Sequence, residues 1–373
     1  MELTDLKQAL ARLPLGELRD ALGDRPAYLV GGAVRDLLLG REPGHPDIAI
    51  DGEVEAVAHA LGGEVRNHER FGTATVWVGD LVLDLARTRS ETYGYPGALP
   101  SVEPAPLSKD LERRDFTVNA MAIPIAGDGE LIDPFGGRDD LAAGLLRILH
   151  AESFVDDPTR ALRAARYAGR LGFGLEEETA RLLAAADLST VSSDRVDAET
   201  LRIAADPDPW AAFGLLEAWG VITIGPDAIE LGRRVAALIT GEPWIGQADR
   251  SVAIHAAVLG HIPSGRRDLV EIAHGLAAKQ PFRPSEELRA ADGHDELELL
   301  LATAMGAAWA ERVVGEWRLV ELDIDGEDLL AAGIPQGPAI GRGLEAAMAA
   351  KVDGAVICRD LELEVALAAA RGA

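Results

Sequence analysis

Two adjacent glycines near the start of the chain have the type and spacing of a phosphate-binding turn. Gly31 and Gly32 follow a short apolar run at residues 28–30 and precede a predicted helix at residues 33–39. Glycine lets a backbone approach a phosphate closely, and the free N–H groups at a helix N-terminus can bind it. The pattern therefore predicts phosphate binding. The alternative is an ordinary strand–turn–helix unit.

Three aspartates in and around two predicted strands could hold a divalent metal ion. Asp47 and Asp51 flank the apolar run 48–50, and Asp84 lies in the second strand of a predicted hairpin, at residues 81–85. If these two strands are neighbours, Asp84 and Asp47 can face the same pocket. Carboxylates are the hard oxygen ligands that Mg2+ prefers, so these residues predict a metal beside a phosphate. The alternative is that they are surface acids.

Composition limits the classes of protein to which the chain can belong. It has 373 residues, 48% of them hydrophobic and 26% charged, which is enough for two or three globular domains. No apolar run approaches the roughly 20 residues of a transmembrane helix, so we expect no membrane partner. Cys358 is the only cysteine, which excludes an intrachain disulfide and suits a reducing, cytoplasmic setting.

The net charge of −26 argues against nucleic-acid binding, because phosphate contacts need lysine and arginine. Arginine, however, supplies nearly all of the positive charge, and it suits phosphates and base edges better than lysine does. Four arginines recur near helical spacing and are called the arginine stripe: Arg160, Arg163, Arg166 and Arg170. The stripe either forms ion pairs on a solvated helix face or contacts nucleic-acid phosphates.

Patterning divides the chain into a mixed N-terminal part and a helical remainder. Strand-like runs are concentrated before about residue 145, and helical periodicity rich in alanine and leucine dominates from Phe154 onward. Residues 86–112 contain four prolines and predict an irregular loop. The sequence therefore predicts an α+β fold, in which a mixed sheet with helices is followed by helices alone.

Several motifs stand in one order along the chain: LVGGAVRDLLLG, FGTATV, RRDFTVNAMAI, IDPFGG, DDPTRALRAARYAGRLGF and SSDRVDAETL. Together they resemble the class II CCA-adding enzymes of the tRNA nucleotidyltransferase/poly(A) polymerase family. The resemblance is strong over residues 20–205 and extends to the tail segment DGEDLLAAGIPQGPAIGRGLEAAM. Residues 206–320 match only as helices.

The resemblance implies a fold and an activity. It implies a polymerase-β-like nucleotidyltransferase head at residues 1–145, a helical neck with the base-reading helix at 146–205, a helical body at 206–320 and a helical tail at 321–373. It also implies that C, A or both are added from CTP and ATP to tRNA 3′ ends without a nucleic-acid template, with release of pyrophosphate. The implied metal is Mg2+, or Mn2+ in its place.

The resemblance also assigns roles to single residues. Asp157 and Arg160 match the pair that reads the base edge in place of a template, because a carboxylate accepts from the exocyclic amine of C or A and a guanidinium donates to a ring acceptor. The nucleotide-binding residues expected on this basis are Gly31, Gly32, Arg35, Arg113, Arg114, Asp115, Asn119, Asp157, Arg160, Arg163 and Arg166. The supporting positions are Asp36, a hinge at 133–137, Asp194, Arg195 and Glu199.

One position departs from the family's metal motif, Asp-x-Asp. The ungapped match places His45, Pro46 and Asp47 there, and another register makes Asp47 the first acid and Ala49 the missing one. Asp47 and Asp84 are thus the expected catalytic and metal-binding carboxylates, with His45 as a third metal position. Imidazole is a poor ligand for Mg2+ but binds Mn2+ or Zn2+.

That departure leaves three hypotheses open. The first is a nucleotidyltransferase that turns over, weakly or with another metal. The second is a catalytically impaired relative that binds nucleotide or RNA without efficient turnover, and the third is altered chemistry. Incorporation of nucleotide into tRNA separates the first hypothesis from the other two.

Overall fold

The computed structural model describes residues 15–43, 46–68, 72–78, 81–126, 130–263, 265 and 268–372. The predicted metal position His45 lies outside the described residues. The chain forms two compact units. The first extends to Glu199 and includes Ala211–Thr223, and the second comprises Thr200–Trp210 and the residues from Ile224 onward.

The first unit is built on a mixed sheet of six strands. The strands of the chain, in order, are β1 (Ala27–Val30), β2 (Asp47–Ile50), β3 (Glu64–His68), β4 (Thr73–Val78), β5 (Leu81–Arg87), β6 (Arg89–Thr92), β7 (Ser101–Pro104), β8 (Ala122–Pro124), β9 (Leu145–Leu146) and β10 (Gly174–Leu175). The order across the large sheet is β3-β4-β5-β2-β1-β8. The β2–β5 pair is parallel and the other pairs are antiparallel.

Helices account for most of the remaining described structure. They are α1 (Gly16–Leu22), α2 (Gly32–Leu38), α3 (Val54–Leu61), α4 (Leu107–Glu112), α5 (Gly137–Ala143), α6 (Ser153–Asp156), α7 (Thr159–Leu171), α8 (Glu177–Leu183), α9 (Ser193–Ala205), α10 (Trp210–Ala218), α11 (Ala228–Leu238), α12 (Arg250–Leu259), α13 (Leu269–Ala277), α14 (Pro284–Ala290), α15 (Glu296–Ala304), α16 (Ala308–Gly315), α17 (Gly326–Ala331), α18 (Pro338–Val352) and α19 (Arg359–Arg371). Within the described residues, no strand follows β10. The predicted α+β fold with a helical remainder is confirmed.

Burial along the central strands explains why these residues form a sheet. On β4 and β5 every second side chain is buried, namely Ala74 and Val76 on β4 and Leu83 and Leu85 on β5. This is the period of a strand that has one face in the core. The short strand β2 lies inside the sheet, and its residues from Ile48 to Ile50 are buried on both faces. The exposed end of β2, at Asp47, is therefore anchored by three buried residues.

The prediction of an irregular loop at residues 86–112 is wrong. β6 and β7 form an antiparallel hairpin in which Arg89 pairs with Pro104 and Thr92 pairs with Ser101, and α4 follows it. Proline lacks a backbone donor, so it is tolerated at the end of an edge strand such as β7 and just before a helix. The prolines mark the ends of short elements here, and the sequence pattern did not separate that case from a loop.

The second unit is helical in its described part and has two cores of its own. One packs around Trp244 and Leu299, and the other packs around Leu329 and Ala366 near the C-terminus. In the described part of the chain, no helix combines the length and the apolar character needed to cross a membrane.

Candidate active site

The parallel pair β2–β5 brings two acidic residues side by side. Asp47 stands opposite Asp84 in the register of the two strands, so the predicted adjacency of these strands is confirmed. Thr75, on β4, donates from Oγ1 to Oδ1 of Asp84 at 2.7 Å and orients that carboxylate. Asp51 follows the far end of β2, so it is not part of this acidic pair.

The turn between β1 and α2 requires glycine at its first position. Gly31 has a φ of 66°, in the left-handed region that favours glycine. A Cβ atom at this position would lie 2.6 Å from Nη1 of Arg114. The turn thus lets the backbone pass directly beside a guanidinium group, which a side chain at residue 31 would displace.

Arg35, on α2, is buried and held by two partners. Its Nε and Nη2 donate to Oδ1 of Asp36 at 2.9 and 2.8 Å, and its Nη1 donates to Oδ1 of Asn119 at 2.6 Å. Its guanidinium carbon lies 5.2 Å from the centre of the Tyr167 ring, within the range of a cation–π contact. The orientation of Arg35 is therefore set by an acid, an amide and an aromatic ring.

Asp115 accepts hydrogen bonds both from Asn119 and from Arg163 on helix α7. Its Oδ2 accepts from Nε and Nη2 of Arg163 at 2.9 and 2.7 Å, and its Oδ1 accepts from Nδ2 of Asn119 at 2.9 Å. Burial opposes ionisation of Asp115, but Arg163 and the Asn119 amide outweigh it, so its pKa lies below the usual range. Asn119 also accepts from Arg35, which makes it the link between two arginines on different helices.

Asp110 holds the neighbouring arginine pair. It is 1% exposed, its Oδ1 accepts from Nη2 of Arg113 at 2.8 Å, and its Oδ2 accepts from Nη2 of Arg114 at 2.9 Å. Burial raises the pKa of Asp110, but Arg114 and Arg113 together lower it below the usual range. Arg113 also donates from Nη1 to Oε1 of Glu91 at 2.9 Å. Both guanidinium groups are thus fixed by Asp110, whose carboxylate stays ionised at neutral pH.

The predicted base-reading pair lies at the start of α7. Oδ1 of Asp157 accepts from the backbone N–H of Thr159 at 3.0 Å, from its hydroxyl at 2.6 Å and from Nη2 of Arg195 at 2.9 Å. Arg160 follows in the first turn of α7 and is 4% exposed. The sequence predicted Arg195 as a support for the base-reading helix, and its bond to Asp157 is consistent with that role.

Many of these groups line one cavity of about 340 Å³, whereas Thr75, Asp110 and Arg195 lie outside its lining. Its lining contains every predicted nucleotide-binding residue and also Asp47, whereas Asp84 is not among the lining residues. Seven arginines and four acidic residues line it. The cavity therefore carries an excess of positive charge in a chain whose net charge is −26.

The first two residues of the arginine stripe do not lie on a solvated helix face. Arg160 is buried, and Arg163 is ion-paired with the buried Asp115. Arg170, at the end of α7, is 41% exposed and lies 4.0 Å from a carboxylate oxygen of Asp36. The solvated-face hypothesis is thus wrong for Arg160 and Arg163, which face the cavity instead.

Three lining residues were missed by sequence reasoning. Glu91 and Tyr93 lie on and after β6, inside the segment whose structure the pattern did not reveal. Burial raises the pKa of Tyr93 to about 12, so its hydroxyl stays neutral and donates to Glu91 at 3.2 Å. Tyr167 accepts from Nη2 of Arg163 at 2.9 Å, and the four-residue spacing of these two residues on one helix was a signal that could have found it.

Comparison with known proteins fits this geometry. The family described as Poly A polymerase head domain matches residues 27–147. The CC-adding tRNA nucleotidyltransferase of Deinococcus radiodurans is 33% identical over 92% of this chain and 89% of its own length. The chain belongs to the tRNA nucleotidyltransferase/poly(A) polymerase family.

Solved structures extend the similarity to nearly the whole chain. A CCA-adding enzyme solved with ATP is 28% identical and has a TM-score of 0.75, and the Thermotoga maritima CCA-adding enzyme solved with tRNA is 29% identical and has a TM-score of 0.69. Each match covers 99% of both chains.

Other relatives are longer than this chain. The A-adding enzyme of Halalkalibacterium halodurans is 46% identical over 51% of this chain but is covered over only 48% of its own length. The A-adding enzyme of Geobacter sulfurreducens is covered over 46% of its length. The chain thus spans about half the length of these two relatives.

Proposed function

We propose that this protein adds C, A or both from CTP and ATP to the 3′ ends of tRNA and releases pyrophosphate. The observation that carries the proposal is a single cavity whose lining combines the glycine turn, the Arg113–Asn119 segment, the Asp157/Arg160 pair and Asp47. The ATP and tRNA complexes of similar CCA-adding enzymes support the same classes of substrate. Relatives named CC-adding and A-adding both match, so either nucleotide is within the proposal.

Asp157 and Arg160 select the base in this proposal. The Asp157 carboxylate accepts from the exocyclic amine that C and A share, and the Arg160 guanidinium donates to a ring acceptor of the same edge. Uracil and guanine present a carbonyl where C and A present the amine, so a fixed carboxylate disfavours them. The bond from Arg195 to Asp157 keeps the carboxylate in place.

The glycine turn and the arginines bind and orient the triphosphate. The terminal RNA hydroxyl attacks the α-phosphate and gives up its proton to water. A new P–O bond forms, the bond between the α-phosphate and its bridging oxygen breaks, and pyrophosphate leaves. Arg35 and Arg163 neutralise part of the triphosphate charge, and their amide and carboxylate partners hold them before substrate arrives. Fixed donors of this kind need no reorganisation during the reaction.

Asp47 and Asp84 fit a divalent cation. They are in register on neighbouring strands, both offer hard oxygen donors, and Thr75 orients one of them. A bound Mg2+ or Mn2+ would stabilise charge on the phosphoryl oxygens during the displacement. The two carboxylates would hold that ion and position it beside the glycine turn.

Paired substitutions test the proposed reaction. We expect Asp47→Asn and Asp84→Asn each to lower the rate of CTP or ATP incorporation into tRNA lacking its CCA end by about 100-fold or more, because a neutral amide holds a divalent cation poorly. Asp51→Asn is the matched control, since Asp51 lies beyond β2 and outside the acidic pair. Equal loss in all three variants, or full activity in Asp84→Asn, would contradict the assignment.

A further inference from the structure

Ser153 is a buried hydroxyl that touches the predicted base-reading arginine. It begins the short helix α6 and is 0% exposed. Its Oγ accepts from Nη1 of Arg160 at 2.5 Å. Ser153 is not part of the cavity lining, so it acts on a bound base only through Arg160.

The second terminal nitrogen of the Arg160 guanidinium also has an acceptor. Its Nη2 donates to the backbone carbonyl of Arg113 at 2.8 Å, and the side chain as a whole is 4% exposed. Two acceptors on opposite ends of a planar guanidinium fix both its position and its plane. A buried cation that loses an acceptor is costly, so it moves toward another acceptor when one contact is removed.

The backbone of Ser153 supports the other member of the pair. Its carbonyl accepts from the backbone N–H of Asp157 at 3.3 Å. Removal of the hydroxyl alone would therefore free Arg160 and leave the backbone contact to Asp157 in place. Substitution of the Ser153 side chain can therefore change the position of Arg160 without changing the backbone contact to Asp157.

We infer that Ser153 is a positioning residue that sets the base selectivity of Arg160. The inference rests on the proposed function, because it takes Arg160 as the group that donates to the base edge. With the hydroxyl present, the plane of the guanidinium is fixed, and in that plane it can donate to the ring acceptor of C or A. Without it, the guanidinium can rotate and meet the carbonyl-bearing edges of U and G.

The test compares Ser153→Ala with Ser153→Thr, which keeps a hydroxyl. For each variant, kcat/KM is measured for the nucleotide that the unaltered protein prefers, CTP or ATP, and for UTP and GTP. We expect Ser153→Ala to lower the ratio of preferred to non-preferred nucleotide by about tenfold or more, because a misplacement of about 1 Å in a site can cost about 100-fold in rate. Ser153→Thr should keep the ratio within about twofold.

Thr179→Val is the matched control for loss of a buried hydroxyl. Thr179 is 0% exposed, lies in the same unit, and its hydroxyl oxygen accepts from the backbone N–H of Ile148 at 3.1 Å. This variant should lower the thermal unfolding midpoint and leave the selectivity ratio unchanged. An unchanged ratio in Ser153→Ala would overturn the inference, and so would an equal loss in a well-folded Ser153→Thr.

The same assay separates this inference from the proposed function. If the unaltered protein extends tRNA with a clear preference for C or A and Ser153→Ala keeps that preference, only the role of Ser153 fails. If the unaltered protein binds CTP or ATP but extends no RNA, the proposed function fails instead.

Discussion

Arginine side chains in the cavity are held by acceptors that come from distant parts of the chain. Arg35 donates to Asn119, Arg163 donates to Asp115, and Arg160 donates to the carbonyl of Arg113. Motif resemblance predicted all six of these residues. It did not predict which atom bonds to which, because those bonds join residues 84, 48 and 47 positions apart.

The acidic partners of these arginines explain how so many cations share one cavity. Asp110 and Asp115 are buried, and each has a pKa below its usual range because of the arginines beside it, so both stay ionised at neutral pH. Asp110 was not predicted as a site residue, although it lies three and four residues before Arg113 and Arg114 on the chain. That spacing was a local signal for ion pairs between α4 and the residues that follow it.

A prediction at the residue scale concerns His45. By sequence it stands two positions before Asp47, where the ungapped match to the family motif expects an acid. We expect His45→Asp to raise the Mg2+-supported rate of incorporation by about tenfold or more, because a carboxylate binds Mg2+ better than an imidazole does. The rate should be compared with the rate in Mn2+, and Mn2+ binding should be measured by calorimetry without nucleotide.

The control for this change is His59→Asp, because His59 is an exposed residue near the end of α3, away from the cavity lining. A His45→Asp variant with unchanged metal affinity and unchanged rate would show that residue 45 is not a metal position. A rate increase in both variants would point to net charge as the cause.

At the scale of elements, the loop of the hairpin β6–β7 is anchored to helices α6 and α9. The backbone N–H of Gly97, in the hairpin loop, donates to Val155 at 3.2 Å, and its carbonyl accepts from Nη1 of Arg195 at 2.8 Å. Nη2 of the same arginine donates to Asp157. The loop therefore shares its anchor with the predicted base-reading carboxylate.

Gly97→Ala tests this coupling. Gly97 has a φ of 72°, and a Cβ atom there would lie 2.5 Å from Oγ1 and 2.7 Å from the carbonyl oxygen of Thr190. We expect the variant to lose about 1–3 kcal/mol of unfolding free energy and to raise the KM for CTP or ATP several-fold, because the loop must move and Arg195 moves with it. Urea unfolding and steady-state kinetics measure the two effects.

Gly94→Ala is the control within the same loop. A Cβ atom at Gly94 meets no described atom within 4 Å, so both quantities should stay close to those of the unaltered protein. If Gly97→Ala destabilises the protein but leaves the KM unchanged, the loop is not coupled to Asp157.

Elements with strong patterns were predictable, and the hairpin was not. Helix α3 and the β4–β5 pair follow apolar periodicities that a single segment displays by itself. The four-residue strands β6 and β7 have no buried face in the core, and their pairing depends on contacts outside the segment. Proline content therefore favoured a loop in the absence of any opposing pattern.

At the scale of the whole molecule, net charge was a poor guide to the charge of the cavity. The chain carries −26, yet seven arginines and four acidic residues line the cavity. Local charge controls the approach of an anionic ligand at short range, because salt screens distant charges beyond about 8–10 Å. The motif resemblance was the better guide, and family membership is now shown over most of the chain.

The most direct test of the central claim is nucleotide incorporation by the unaltered protein. A tRNA that lacks its CCA end is incubated with each of CTP, ATP, GTP and UTP, in Mg2+ and separately in Mn2+, and both RNA length and pyrophosphate are measured. The account predicts extension with C, A or both, little with G or U, and one pyrophosphate for each nucleotide added. A folded protein that binds CTP or ATP but extends no RNA in either metal would contradict it.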